Sequence, residues 1–312
     1  MDLTAQKTVL RIEKYLFNPS FFEKLLSYLL LPFSTLYCVV VIVKRKRAKE
    51  ESFGIPVISI GNLTVGGNGK TPFCISLAKR YKNSAIILRG YKRKSKGTVV
   101  ISKNGEILEN VDVSGDEAML FAKSLSKSTV IVSEDRKKGI KKAISLGSEV
   151  IFLDDGFSKA DIKKYDILLK PQKEYSNPFC IPSGPYREPE SFERYADIVA
   201  KEGVDFKRVV SLTNKTKRML LVTAISKPKR LDKFLPFVVG KVYYPDHYEF
   251  KKDELEKLIK EYNADSLLTT QKDAVKMERF GLNLSILELD LEIDDKIIRK
   301  IDTFISDFGK IP

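Results

Sequence analysis

Cysteine is scarce. The 312-residue chain has three, Cys38, Cys74 and Cys180, far apart and without a C-x-x-C pair. So sparse and odd a set argues against a disulfide framework or a zinc site and fits a reducing compartment, with all three read as buried or idle thiols. Histidine is rarer still: His247 is the only one, and a lone histidine is more often structural than catalytic. Internal repeats and low-complexity tracts are missing. So is a standard signal peptide, because Asp2 and Glu13 interrupt the N-terminus and no small-residue cleavage site follows an apolar run there. Acidic residues are outnumbered, 41 against 55 Lys and Arg, which gives a formal net charge of +14. That surplus favours a polyanionic partner: nucleic acid, an anionic membrane surface or a phosphorylated substrate. The basic residues are spread out and no recognition module accompanies them, so nucleic acid is set aside. What is present is enough for two domains, with 43% hydrophobic and 31% charged residues, a composition that buries a core rather than one that stays disordered.

Leu25 to Val43 carries no charged residue, and Lys44, Arg45, Lys46 and Arg47 follow at once. The run is borderline in length for a spanning helix, and Ser27, Pro32, Ser34 and Thr35 weaken that reading. An apolar segment with a basic flank suits an interfacial anchor on an anionic leaflet. The competing reading is a buried helix pair broken at Pro32.

Beyond it, short β-branched runs alternate with helical stretches. Strands are expected at Pro56–Ile60, Ala85–Leu88, Thr98–Ile101, Thr129–Val132, Val150–Leu153, Tyr165–Leu169 and Ala196–Val199, with a hairpin turn at Asn104-Gly105. Helices are expected at Phe73–Tyr81, Asp116–Leu125 and Lys137–Ser145. This pattern indicates parallel strands with helical crossovers. A second, smaller α/β unit reads as strands at Met219–Thr223, Val238–Tyr244, Ser266–Thr269 and Ser285–Leu289, with helices at Lys229–Leu235, Asp253–Tyr262 and Asp294–Ser306. Lys207 to Lys217 reads as the connector. The expected organisation is a membrane-associated segment over residues 1–43, a larger α/β domain over 44–208 and a smaller α/β domain over 209–312.

The strongest chemical signal is Gly61-Asn-Leu-Thr-Val-Gly-Gly-Asn-Gly-Lys70-Thr71, lying between a strand and a helix. Main-chain amides from Thr64, Val65, Gly66, Gly67, Asn68 and Gly69 would converge on phosphate oxygens at a helix N-terminus that already favours anions. Lys70 would reach the β- and γ-phosphates of ATP, and the Thr71 hydroxyl would bind Mg²⁺. Pro72 is tolerated in a first helical turn. Thr64 stands where the usual spacing has its first glycine. The strand ending in Asp154-Asp155-Gly156 would place carboxylates beside the metal. Asp116, in Gly115-Asp116-Glu117, reads either as a helix cap or as a general base for an attacking hydroxyl. The cationic loop from Arg89 to Lys96, which includes Tyr91 and Arg93, would grip an anionic sugar phosphate or simply be solvated. Arg136 also follows a strand and would point into the same crevice.

These segments together resemble the tetraacyldisaccharide 4'-kinases. From about Leu30 to the C-terminus the motifs run in that family's order: GNLTVGGNGKTP, RGYKRKSKG, GDE, SEDR, LDDGF, PSGPYREP, PDHY and TTQKD. The resemblance implies two α/β/α sandwich domains with the active site between them and an N-terminal helix that meets the bilayer at the cytoplasmic face of the inner membrane. It implies transfer of the ATP γ-phosphate to the 4'-hydroxyl of a tetraacylated glucosamine disaccharide 1-phosphate, with no obligate protein partner evident. Asp116 and His247 would be the proton-accepting pair, Lys70 and Thr71 the loop residues, and Asp154 and Asp155 the metal-side carboxylates. Tyr91, Arg136, Arg187 and Glu188 would surround nucleotide and substrate. No role follows for Thr269–Asp273. Ser158-Lys159 replaces the Gln-His that many members carry. The rival reading is a membrane-associated P-loop ATPase that switches a protein partner.

Overall fold

The computed structural model describes residues 11–66, 69–225, 228–246 and 248–309. The uncharged run becomes two helices, α1 (Phe21–Leu29) and α2 (Leu31–Arg47), bent by 57° at a break of one residue. The break falls at Leu30, before the proline rather than at it. Pro32 lies in the first turn of α2, where a missing N–H leaves no hydrogen bond unmade. Neither helix alone is long and apolar enough to cross a membrane, although the bent pair passes that test together. Their polarity is inverted relative to a helix on a globular core. The buried residues are Ser27 and Ser34, while Phe21, Phe22, Leu25, Leu29, Phe33, Leu36 and Val40 are exposed. Ser34 Oγ donates to the Cys180 carbonyl at 2.9 Å and accepts from the Ser183 amide at 3.0 Å.

The first sheet has eight strands: β1 (Val57–Gly61), β2 (Ser84–Leu88), β3 (Val99–Lys103), β4 (Glu106–Ile107), β5 (Ser128–Val132), β6 (Val150–Asp154), β7 (Tyr165–Lys170) and β8 (Ile198–Lys201). Their spatial order is β4-β3-β5-β2-β6-β1-β7-β8. The six strands from β5 to β8 pair in parallel, and the β3–β4 hairpin joins antiparallel at one edge. β1, β2, β5 and β6 are buried along their whole length, because helices cover both faces of a parallel sheet. Helices α3 (Lys70–Ala78) and α4 (Asp116–Ser124) cover one face, where Phe73, Leu77, Ala118 and Phe121 meet Ile58, Ile86 and Phe152. Helix α5 (Arg136–Ser145) covers the other through Ile140 and Ala143.

The second sheet has the order β11-β10-β12-β13-β9, built from β9 (Phe206–Thr213), β10 (Met219–Thr223), β11 (Gly240–Tyr243), β12 (Ser266–Thr270) and β13 (Leu284–Ile293). Helix α6 (Lys252–Glu261) lies between β11 and β12 in sequence, α7 (Gln271–Met277) follows β12, and α8 (Asp295–Asp307) ends the described chain. The stretch read as a connector is largely strand: β9 pairs antiparallel with β13 over eight residue pairs, from Phe206↔Ile293 to Thr213↔Ile286. Lys229–Leu235, read as a helix, is a 3₁₀ helix over Pro228–Phe234. The two units are stitched together. Phe206, Leu291, Ile297, Ile298 and Ile301 share one core with Ile58, Phe73 and Phe152. Phe304 stacks on Tyr165 at 4.6 Å, and Tyr81 Oη donates to Asp302 at 2.7 Å.

Candidate active site

The site forms at the C-terminal ends of β1 and β6, where crevices of open parallel sheets lie. Gly61 ends β1 against the Asp-Asp-Gly-Phe turn, and a Cβ there would come within 2.4 Å of the Phe157 Cβ, so only glycine fits. The chain then crosses to α3. Val65 donates its amide to the Pro185 carbonyl at 2.8 Å, and Gly66 and Gly69 take left-handed φ values of 89° and 80°. Gly69 caps α3, so Lys70, Thr71 and Pro72 form its first turn, and its free amides face the crevice as they would face an anion. Gly67 and Asn68 lie outside the described residues. Lys70 Nζ donates to Asn62 Oδ1 at 2.8 Å and stands 3.6 Å from Asp155.

The two carboxylates after β6 behave differently. β6 runs parallel to β1 with Asp154 beside Ile60. Asp154 is buried, and its Oδ1 has no hydrogen-bond partner. Burial, then repulsion from Glu117 and Asp155, pushes its carboxyl up to about 7. Asp155, at φ 53°, receives both arms of Arg187 at 2.8 and 2.9 Å. Burial would raise its carboxyl, but the Arg187 hydrogen bonds and the Lys70 charge outweigh that and hold it well below the usual range. Arg187 also reaches Asn62 Oδ1 at 3.0 Å, so Asn62 joins Lys70 to Arg187. Arg136 is buried alongside, donating to the Ser133 carbonyl at 2.6 Å and the Asp154 carbonyl at 3.4 Å. Desolvation lowers its pKa against the pull of Asp154 and Asp155.

Asp116 opens α4 beside Glu117, whose charge raises the Asp154 carboxyl. Asp116 is not a cap: Gly115, at φ 80°, holds the N-cap position. Its Oδ2 lies 3.5 Å from Lys276 Nζ, which also approaches Asp273 at 3.2 Å and donates to the Tyr248 carbonyl at 3.2 Å. The TTQKD segment thereby acquires a place. Thr270 caps α7, and Asp273 Oδ2 accepts from Thr223 Oγ1 at 2.7 Å and from the Ala224 amide at 3.0 Å. This knot of hydrogen bonds ties the second sheet to Lys276 and so to Asp116. His247 lies outside the described residues. Its neighbours Asp246 and Tyr248 accept from Lys272 and Lys276.

Three expected residues have other surroundings, although Tyr91 and Arg93 pack against Gly115, next to Asp116. The two terminal nitrogens of Arg93 donate to Glu134, the Gly97 carbonyl and Ser95, its Nε is buried without a partner, and the side chain is only 2% exposed, so it braces its own loop. Glu188 pairs with Arg45 of α2, at 3.6 Å, and burial raises its carboxyl. Tyr91 is exposed beside Lys92. Asn62, Glu117, Asp273 and Lys276 were not singled out individually, although the GNLT, GDE and TTQKD strings contain three of them. The cysteines read as idle and separate include a touching pair, Cys38 and Cys180, with their sulfurs 2.7 Å apart.

A helix N-terminus faced by paired carboxylates at the edge of a parallel sheet defines a class: α/β proteins that handle phosphate groups. The sequence profile of the tetraacyldisaccharide-1-P 4'-kinase family matches residues 26–215 and 203–306. The chain is 51% identical over 311 residues to the tetraacyldisaccharide 4'-kinase of Aliarcobacter butzleri, spanning 97% of this chain and 99% of that one. It is 49% identical over 298 residues to that of Helicobacter acinonychis, spanning 95% of each. A crystal structure of LpxK from Aquifex aeolicus in complex with ATP superposes with a TM-score of 0.77 at 30% identity, over 91% of this chain and 99% of that one. The chain belongs to the tetraacyldisaccharide-1-P 4'-kinase family.

Proposed function

We propose that this protein transfers the γ-phosphate of ATP to the 4'-hydroxyl of a tetraacylated glucosamine disaccharide 1-phosphate, the lipid A precursor. The relatives' names and the ATP-bound neighbour support the reaction. The observation that carries the reading is Lys70 in ion-pair range of Asp155, with Glu117, the neighbour of Asp116, close enough to raise the Asp154 carboxyl. In this reading the loop from Thr64 to Lys70 is a P-loop whose amides and Lys70 hold the β- and γ-phosphates. The hydroxyl of Thr71 and the carboxylates of Asp154 and Asp155 would hold Mg²⁺. The fit rests on the unpartnered, buried Oδ1 of Asp154. Among the described residues no cluster of three His, Cys, Asp or Glu side chains is poised to bind a metal. That suits an ion which takes the rest of its ligands from nucleotide and water. When bound, the ion would neutralise charge developing on the transferred group. Asp116, held by Lys276 and backed by His247, would accept the proton of the sugar hydroxyl. Arg136 would face the phosphates from the end of β5.

The inverted α1–α2 pair supports a place at the cytoplasmic face of the inner membrane, peripheral or monotopic. Its exposed phenylalanine and leucine ridge would enter the acyl boundary, with Lys44, Lys46 and Arg47 at the headgroups. The acceptor would then reach the crevice without leaving its bilayer.

The test is incubation of the protein with γ-labelled ATP, Mg²⁺ and the tetraacyl disaccharide 1-phosphate in mixed micelles. Label is expected in the lipid, and Lys70→Ala and Asp116→Ala are each expected to lower kcat by about a hundredfold or more. Label released to water at the same rate without the lipid would instead support an ATPase switch. A near wild-type rate in either variant would remove its assigned role.

A further inference from the structure

The last turn of α2 reaches deeper than an anchor requires. In the basic run Lys44, Lys46 and Arg47 are exposed, as headgroup contacts should be, but Arg45 turns inward and its side chain is 12% exposed. Its guanidinium lies against three rings, Phe157, Phe192 and Tyr195, at 4.7, 5.2 and 4.6 Å from their centroids. It donates to the Phe157 carbonyl at 3.2 Å and pairs with Glu188 at 3.6 Å. Two turns earlier on the same helix, Tyr37 Oη donates to the Arg187 carbonyl at 2.8 Å.

Each of these contacts lands beside the crevice. Phe157 closes the turn that begins with Asp154 and Asp155, and Glu188 follows Arg187, whose side chain clamps Asp155 and Asn62. Asn62 in turn receives Lys70. Helix α2 thus grips the main chain of both segments that set the carboxylate, the guanidinium and the loop lysine. We infer that Arg45 and Tyr37 are positioning residues for phosphoryl transfer, which make the seating of the bilayer-facing helix part of the geometry of Asp155, Arg187 and Lys70. A misplacement of about 1 Å at such a site costs on the order of a hundredfold in rate, so a modest shift of α2 is enough to be felt.

The inference rests on the kinase reading for its kinetic arm. A binding arm keeps the two separable. Full-length wild type, Tyr37→Phe, Arg45→Lys and Arg45→Ala would be compared in mixed micelles for kcat and KM with the tetraacyl disaccharide acceptor. Affinity for a Mg²⁺-bound fluorescent ATP analogue would be measured without acceptor. Arg45→Ala is expected to lower kcat about tenfold, with lipid KM within about twofold of wild type, and to weaken nucleotide binding several-fold. Arg45→Lys keeps the charge but not the ring contacts and should recover only part of the loss. Tyr37→Phe removes one oxygen, should leave the melting temperature nearly unchanged and should lower kcat about threefold; it decides the matter if Arg45→Ala does not fold. Losses confined to lipid KM, with kcat and nucleotide affinity at wild-type levels, would reduce both residues to anchor parts and overturn the inference. If wild type transfers no phosphate to lipid, the kinase reading falls. Unchanged nucleotide affinity in Tyr37→Phe and Arg45→Ala would then overturn this inference as well, and weakened affinity would sustain it.

Discussion

Asp154 and Asp155 are adjacent carboxylates with opposite electrostatic fates. Burial and the neighbouring charges of Glu117 and Asp155 raise Asp154 to about 7, whereas Arg187 and Lys70 depress Asp155 despite its burial. The raised group binds its proton more tightly in the fold than in the unfolded chain. Its contribution to stability is therefore present below the ordinary carboxylate range and is lost as pH climbs toward about 7. The depressed group does the reverse, and its contribution is lost only in strong acid. Metal-free protein is thus expected to lose stability, on the order of a few kcal/mol, as pH rises from the ordinary carboxylate range to about 7, read as a falling melting temperature. Mg²⁺ with nucleotide should restore most at the alkaline end. Asp154→Asn should flatten that slope in a thermal-shift series while abolishing transfer. A wild-type slope of opposite sign would refute the burial assigned to Asp154. The grouping of Lys70, Asp154 and Asp155 was legible in the chain because they lie in short motifs that flank adjacent strands. The surroundings of Arg93 and Glu188 were not legible, for the opposite reason. Their partners, Glu134 and Arg45, are distant in sequence, and a charged side chain reads as available until the fold shows what neutralises it.

The strands and helices follow the same logic. Apolar β-branched runs such as Ser128–Val132 were legible because a strand buried on both faces must be apolar throughout. β9 was not, since it alternates Phe206, Arg208, Val210 and Leu212 with Lys207, Val209, Ser211 and Thr213 and is half-exposed along its antiparallel pairing with β13. A polar alternation beside lysines resembles a connector. The α1–α2 pair shows what composition conceals: an uncharged run is compatible with burial or with exposure, and the structure turns Ser27 and Ser34 inward and Phe21 and Phe22 outward. Phe21 and Phe22 are about 80% exposed, so removing them costs the fold little. Phe21→Ser with Phe22→Ser is expected to weaken co-sedimentation with anionic vesicles about tenfold or more while moving the melting temperature by about a degree or less. A large drop in melting temperature would mean that this ridge is packed in the protein rather than free to meet a bilayer.

Across the whole molecule, the two sheets are joined by a chain that leaves the first core, builds the second, and returns. Leu291 at the end of β13 and Ile297, Ile298 and Ile301 on α8 belong to the core beneath β1 and α3. Asp290 receives Lys79 of the turn after α3 at 2.7 Å. Residues near the C-terminus therefore support the helix whose N-terminus faces the crevice, and an opening of one unit must disturb the other. Ile301 is fully buried, so Ile301→Ala leaves a cavity expected to cost about 2–5 kcal/mol. Were the units independent, that loss would fall on one of two separable transitions. With a shared core it should shift a single urea transition, so that nucleotide-analogue binding and far-UV circular dichroism are lost together. Two transitions, with nucleotide binding surviving the first, would show that the returning helix is dispensable to the crevice. Coincident loss would make the seating of α8 at one end of the chain, like that of α2 at the other, a condition for holding phosphate between the sheets.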